Sequence, residues 1–299
     1  MAYKLSHITG NSYAFEGAVN IGMYHRGNGK CTLIDTGIDD DGGKRIINLL
    51  KVEKLEIDSI INTHSHADHI GGNSIIQKRL NCDIYATKIE GAIIENPIIE
   101  PLYLFSSTPP NFLKNKFLMA KSSKVTKIIE EDFLDIEGTK FEIVHLPGHS
   151  LDHIGVVSPD GVFYTGDAYL SKDILEKHGF PFYQDIGGAL KSLDYLLDVK
   201  YPFYLPSHGI LENNIEELIK TNKRTIVEII DFILEELSQP RSTEELSQGI
   251  FHRYKINQTP SQYYLTWATL SAYLAYLNNR GDIEIKFYDN QLKWEVKDS

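Results

Sequence analysis

The sequence predicts an α/β fold of helices packed on sheets, followed by a small module of two helices and a hairpin. Three observations carry this. Short stretches with strand-like alternation fill the first third and return between residues 141 and 165. Stretches with helical spacing stand between them, giving a strand–helix–strand rhythm. Near residues 238–241 the character changes, and two capped helices and a hairpin follow.

In chain order, residues 13–15, 18–24 and 31–34 are candidate strands, separated by Gly-rich turns such as 26–29. Residues 42–50 read as a helix. Residues 57–61 are a short apolar run leading into a His-rich loop. A helix is expected over 70–80 and a strand over 83–86. Residues 95–125 break the rhythm, with four of the eleven prolines and many large apolar side chains. Strands return at 141–145, 153–158 and 162–165. Across 212–237, apolar residues from Ile215 to Leu237 keep an i, i+3, i+4 spacing, one face of a long helix. Ser242 and Glu245 make a capping-box pattern. Thr259, Pro260 and Gln262 open a further helix that stops at Gly281. Ile283, Ile285 and Phe287 alternate, as do Leu292, Trp294 and Val296, about a turn at 289–290. The pattern is winged-helix-like and divides the chain into 1–238 and 239–299.

With 299 residues the chain can form one large domain plus a small one. A formal charge of -11 argues against broad attraction to nucleic acid or anionic membrane. Cys31 and Cys82 are too few for a disulfide framework and stand in strand-like runs, as buried small hydrophobes do. The opening residues hold no long apolar stretch. Neither a signal peptide nor a membrane helix is therefore expected, and a reducing, cytoplasmic setting fits.

The chemistry concentrates at residues 63–69, Thr-His-Ser-His-Ala-Asp-His: three histidines and a carboxylate within six residues. Imidazole and carboxylate are the ligands of catalytic zinc. In extended chain His64 and His66 point the same way and can reach one ion. A turn after them swings Asp68 and His69 toward a second, and Gly71 and Gly72 permit close backbone approach. Three more ligand-type residues follow apolar runs beside Gly or Pro: His149 in Leu-Pro-Gly-His-Ser, Asp167 in Thr-Gly-Asp and His208 in Pro-Ser-His-Gly. Singly, each is more often an ordinary loop residue. Together, five histidines and two aspartates suffice for two open sites. His7, His25, His178 and His252 have no such context.

In this order HSHADH, PGHS, TGDAY and PSHG, preceded by Leu-Ile-Asp-Thr-Gly at 33–37, resemble the motif series of the metallo-β-lactamase superfamily. The resemblance covers about residues 10–235. It implies an αββα sandwich with metals at one edge. It implies His64, His66 and His149 on a first ion, Asp68, His69 and His208 on a second, and Asp167 bridging both. The bridging aspartate resembles the glyoxalase II-like thioesterases, lactonases and nucleases of the family rather than its true lactamases. Two divalent ions follow, zinc first, with iron and manganese as rivals.

A water bridging two ions about 3.5–4 Å apart loses a proton near neutral pH. Asp68 would orient the resulting nucleophile as the catalytic residue. Asp35 reads either as a group ordering a ligand histidine from behind or as a plain turn aspartate. His153 reads either as a hydrogen-bonding partner inside the site or as a core histidine. Phe105 and Phe112 in the 95–125 insert, with Phe182 and Tyr183 after Asp167, are candidate substrate contacts forming a wall or lid; the alternative is satellite packing. The module at 239–299 resembles the winged-helix-like extension of lactamase-like proteins, a branch that includes an endoribonuclease. Its seven Lys/Arg and seven Asp/Glu leave no basic face by count. The reading is therefore a dinuclear hydrolase of a small ester, thioester or lactone, with a metal-dependent ribonuclease as the alternative. The module packs on the catalytic domain, on a second copy in a homodimer, or on substrate. No membrane partner is expected.

Overall fold

The structure is a computed structural model that describes residues 3–297. The side chain of His178 and the acidic residue Asp298, both used in the sequence reading, lie outside the described part.

The chain opens as an antiparallel meander of β1 (Lys4–Thr9), β2 (Ser12–Glu16), β3 (Ile21–Gly27) and β4 (Lys30–Ile34). Helix α1 (Asp40–Val52) crosses over to β5 (Glu56–Ile61), parallel to β4. Its N-terminus is set by Asp39, whose carboxylate accepts from the Gly42 N–H at 3.0 Å, with Asp40 and Asp41 in the positive first turn. Helices α2 (Ala67–Ile70) and α3 (Asn73–Leu80) lead to β6 (Asp83–Ala86). Helices α4 (Lys88–Glu95) and α5 (Ile99–Phe105) and a 3-10 turn at Asn111–Leu113 precede β7 (Lys127–Ile128). The seven strands lie in sequence order in one sheet.

A second sheet, ordered β12-β11-β10-β9-β8, holds β8 (Phe133–Ile136), β9 (Thr139–His145), β10 (Ile154–Val157), β11 (Val162–Gly166) and β12 (Phe203–Pro206). Helices α6 (Lys172–His178) and α7 (Ile186–Asp198) join β11 to the parallel β12. Then come α8 (Glu216–Glu236), α9 (Thr243–Arg253), α10 (Pro260–Arg280) and the hairpin β13 (Ile283–Tyr288)–β14 (Gln291–Val296).

Ala14, Tyr24, Ile34 and Ile61 of the first sheet meet Phe141, Ile143, Val156 and Tyr164 of the second in one buried layer. The outer face of the first sheet, with Met23, Leu33 and Ile60, is covered by Ile46, Leu50 and Ile76 of α1 and α3. That of the second, with Val144 and Phe163, is covered by Leu193 and Ile226 of α7 and α8. The result is the expected αββα sandwich, each buried Ile, Leu, Val, Met or Phe side chain contributing roughly 1.5–3 kcal/mol. The same cluster continues into Leu246, Leu270, Tyr273 and Leu277, so α9 and α10 share the core of α7 and α8. Among the described residues no helix is long and apolar enough to cross a membrane.

The caps read from sequence are present. Ser242 and Glu245 form the full capping box of α9. Thr259 caps α10 with Pro260 in its first turn, and Gly281 ends it at φ +83°. Three expectations change. The helix expected over 70–80 is broken at Gly71 and Gly72 between α2 and α3, and Gly71 lies too close to the backbone of Ile38 for any Cβ. The 95–125 insert contains α5 and the 3-10 turn, so it is partly helical rather than a bare loop. Strands β1, β7 and β8 and helices α4, α6 and α7 are additional. α7 carries Gly187 and Gly188, which weaken its intrinsic helix signal; burial of Ile186, Leu193 and Leu196 supplies what propensity does not.

Candidate metal centre

Strand register assembles the site. Ile34 pairs with Ile61 at the ends of β4 and β5, so Asp35 and the 63–69 loop leave the sheet together. Gly166 pairs with Pro206 at the ends of β11 and β12, so Asp167 and His208 leave together. The turn between β9 and β10 carries His149. The Ile154 N–H donates to the Thr63 carbonyl at 3.0 Å, locking the two sheets at this edge.

All seven ligand-type residues converge there. Three groups of side chains each bring their ligand atoms within 4.8 Å of one another: His64, His66 and His149; His64, His69 and Asp167; Asp68, His69 and His208. His66 Nδ1 lies 3.0 Å from His64 Nε2 and 2.9 Å from His149 Nε2. One proton cannot satisfy three nitrogens. Asp167 Oδ2 stands 3.5 Å from the Nε2 atoms of His69, His149 and His208, between the two ends of the cluster. His208 Nε2 is 3.2 Å from Asp68 Oδ2. Asp68 and His208 are the open side, with side chains 30% and 21% exposed, whereas His69 is fully buried.

The other ring nitrogens are tied to the frame. His149 Nδ1 donates to the Phe182 carbonyl at 3.1 Å, and His208 Nδ1 to the Ala18 carbonyl at 3.1 Å. Thr63 Oγ1 donates to Asp35 Oδ2 at 2.7 Å and so accepts from His64 Nδ1 at 3.0 Å. These bonds leave the Nε2 lone pairs facing inward. Asp35 Oδ2 also accepts from His69 Nδ1 at 2.8 Å. His153, fully buried, accepts from the Asp167 N–H at 3.0 Å. Gly166 makes this approach possible: at φ +57° a Cβ there would stand 2.5 Å from His153 Nε2.

The electrostatics divide the cluster. Burial, then neighbouring histidines, holds His64 well below its ordinary pKa. Burial holds His149 at about 3 and His66 at about 4, so these imidazoles stay neutral. His208 is raised to about 9, first by the Asp167 charge. Burial works against a charged His69, yet Asp167, Asp68 and Asp35 raise it well above its ordinary value. Burial likewise opposes an ionised Asp68, but His69 and His208 bring it to about 2. Neutral imidazole nitrogens beside carboxylates that draw positive charge are the donor set of a divalent cation. His69 Nε2 and Asp167 Oδ1, both at the cluster, are buried without any hydrogen-bond partner. The residues fit a metal.

Of the aromatic candidates, Phe182 stacks edge-on to His66 and His149, with ring centroids 5.4 and 5.8 Å apart. Tyr183 is 2% exposed and its hydroxyl is unpartnered. Phe105 and Phe112 pack on Tyr264 of α10. A cavity of about 190 Å³ beside Phe182 is lined by Leu170, Phe180, Leu265 and Thr266. A larger hollow of about 800 Å³ between α8, α10 and the hairpin holds none of the ligand-type side chains and is not the site. Sequence reasoning did not single out Glu90 or Asn20, which hold the histidine loops by long-range hydrogen bonds. A glutamate on a short amphipathic helix carries no signal that it is buried.

Comparison with known proteins gives the family. Residues 14–208 match the model of the metallo-beta-lactamase superfamily. A beta-lactamase-like protein 2 homolog of Drosophila melanogaster is 26% identical over 85% of this chain and 80% of its own length. A hydroxyacylglutathione hydrolase of Haemophilus influenzae is 28% identical over 46% of this chain and 65% of its own. A metallo-beta-lactamase family protein from Thermus thermophilus superposes with a TM-score of 0.74 at 18% identity, covering 99% of both chains. A beta-lactamase domain protein from Burkholderia ambifaria superposes at 0.77, with 18% identity, over 98% of this chain and 94% of that one. With the ordered motifs, the sandwich and the converging ligand-type residues all in place, the chain belongs to the metallo-beta-lactamase superfamily and is a metal-dependent hydrolase.

Proposed function

We propose that this protein is a dinuclear hydrolase of a small ester, thioester or lactone. The observation that carries the reading is the double cluster: His64, His66 and His149 at one end, Asp68, His69 and His208 at the other, and Asp167 Oδ2 equidistant from three of the histidines. The first three would hold one ion and the second three another, with Asp167 shared. Zinc suits this nitrogen-rich set, with iron and manganese as rivals. Bound there, the ions would supply Lewis acidity toward a carbonyl oxygen and acidify water.

The chain's own residues do the rest. Asp68, on the open side, would orient water through one carboxylate oxygen and take up its proton. Asp35 would keep the His69 ring in place through Nδ1, and His153 would fix the Asp167 backbone. The small apolar cavity beside Phe182 would take the acyl part and exclude water from it. The relatives named hydroxyacylglutathione hydrolase favour acyl substrates. We read 1–238 as the catalytic part and 239–299 as a winged-helix-like module docked on it, with α10 lining the cavity. Two buried free thiols favour a reducing compartment such as the cytoplasm. The module's even charge does not favour the ribonuclease alternative.

The test is elemental analysis joined to a substrate panel. Protein purified without chelator is expected to approach two metal equivalents and to hydrolyse one of the ester, thioester or lactone probes. Asp68→Ala is expected to lower kcat by about a hundredfold or more, as for other positioned proton-transfer groups. A ceiling of one equivalent after reconstitution, or turnover of RNA alone, overturns the reading.

A further inference from the structure

Glu90 sits on α4, outside the histidine loops, and is 1% exposed. Its carboxylate accepts four hydrogen bonds, two at each oxygen. Oε2 accepts from the Ser65 N–H at 2.9 Å and the Ser65 hydroxyl at 2.5 Å. Oε1 accepts from the Ser150 hydroxyl at 2.7 Å and the Asp152 N–H at 3.1 Å. Ser65 stands between His64 and His66, and Ser150 directly follows His149. One buried carboxylate thus grips two loops that leave different sheets. Helix α4 is itself docked on the second loop: Thr87 Oγ1 donates to the Asp152 carbonyl at 2.8 Å, and the Ile89 N–H donates to Asp152 Oδ2 at 3.0 Å.

We propose that Glu90 is a positioning residue that holds His64, His66 and His149 at the spacing one metal ion requires, by clamping Ser65 and Ser150 together. The inference rests on the reading of those three histidines as ligands. A buried carboxylate is unfavourable unless fully hydrogen-bonded, and an apolar side chain would pack this position without that difficulty. All four donors come from the ligand loops and none from the hydrophobic core. A ring nitrogen can meet an ion only where its backbone is fixed, and residues one step behind the ligands tune affinity for that reason. The other end of the cluster is held separately. Asn20 Nδ2 donates to the carbonyls of Pro206 and Gly209, at 2.9 and 2.8 Å, on either side of His208. His69 has its own hold through Asp35, so loss of Glu90 falls first on the metal equivalent of His64, His66 and His149.

The full-length, metal-free protein is titrated with Zn²⁺ against a chromophoric chelator, and the Co²⁺-loaded protein is compared by its visible absorption. Glu90→Gln keeps the shape but turns an amide donor toward groups that are themselves donors. It is expected to weaken one of two Zn²⁺ equivalents by about tenfold or more, to alter the Co²⁺ spectrum, and to lower the metal-free melting temperature as well, because buried donors lose their acceptor. Ser150→Ala, which removes a single donor, is expected to shift the same equivalent by less. Should Glu90→Gln fail to fold, Ser150→Ala and Ser65→Ala decide the matter by the same readout. Wild-type Zn²⁺ affinity and Co²⁺ spectrum in these variants overturn the clamp. If the wild-type protein itself binds no Zn²⁺, the ligand reading fails instead.

Discussion

Asp35 is held at φ +65°, a backbone region that non-glycine residues rarely adopt. Its carboxylate accepts from the Thr63 N–H at 2.9 Å, from Thr63 Oγ1 and from His69 Nδ1, which is what makes the strained turn sustainable. Glu100 is the contrary case. It is 5% exposed, and its carboxylate makes no hydrogen bond or ion pair among the described residues. Burial, then the charges of Asp68 and Glu90, raises its pKa well above 4.5. A raised carboxyl pKa costs nothing below the unfolded value, where both states keep the proton. The cost grows as pH rises past it, because only the unfolded chain ionises freely. Glu100→Gln is therefore expected to raise the melting temperature of the metal-free protein at pH 8, by about 2–4 °C per kcal/mol recovered, and to have little effect at pH 4. Thermal melts at both values check this; a loss of stability at pH 8 would show a hidden partner for Glu100.

At the scale of elements, the 95–125 insert is packed between the segment that carries Phe182 and the first turns of α10. Leu104, Leu113 and Leu118 form its buried centre, with Phe182, Tyr264 and Leu265 against them. Lys116 and Lys121 reach Asp39 and Asp40 at the start of α1. These exposed pairs are worth little individually, so the leucines carry the attachment. Leu113 is fully buried whereas Phe112 is 46% exposed. Leu113→Ala is expected to cost about 2–4 kcal/mol in urea unfolding. Phe112→Ala is expected to leave stability nearly unchanged and to raise KM on the substrate found in the panel. Unchanged kinetics with a large stability loss in Phe112→Ala would mean the insert serves packing alone.

At the scale of the whole molecule, one buried cluster runs from Leu193 of α7 through Ile226 and Ile233 of α8 to Leu246, Leu270, Tyr273 and Leu277. All seven proposed ligands precede residue 209, yet the segment after 238 closes this core. Removing residues 239–299 is expected to expose that surface. The shortened chain should bind a hydrophobic dye, aggregate and lose cooperative unfolding. A soluble, cooperatively folded 1–238 fragment would contradict this. Nucleic-acid binding is consequently tested on the intact chain, where the acidic net charge leads us to expect no salt-sensitive RNA affinity.

The sequence by itself determined what is local. Alternation with period two placed most strands, the 215–237 spacing placed α8, and the Ser242–Glu245 and Thr259–Pro260 pairs placed two caps, because each depends on neighbours a few residues away. The candidate ligands were legible for the same reason: His64, His66, Asp68 and His69 stand together in the chain, and Gly and Pro mark the loops of His149, Asp167 and His208. Only the tertiary structure decided what depends on distant partners. Glu90 and Glu100 are the same residue type on neighbouring helices, yet one is gripped by four donors and the other by none. Helix α7, weak in propensity, forms because the second sheet and α8 bury its apolar face. For His149 and His208 the inward ring nitrogen is settled by the carbonyls of Phe182 and Ala18, brought up from distant loops, and no local pattern encodes those contacts.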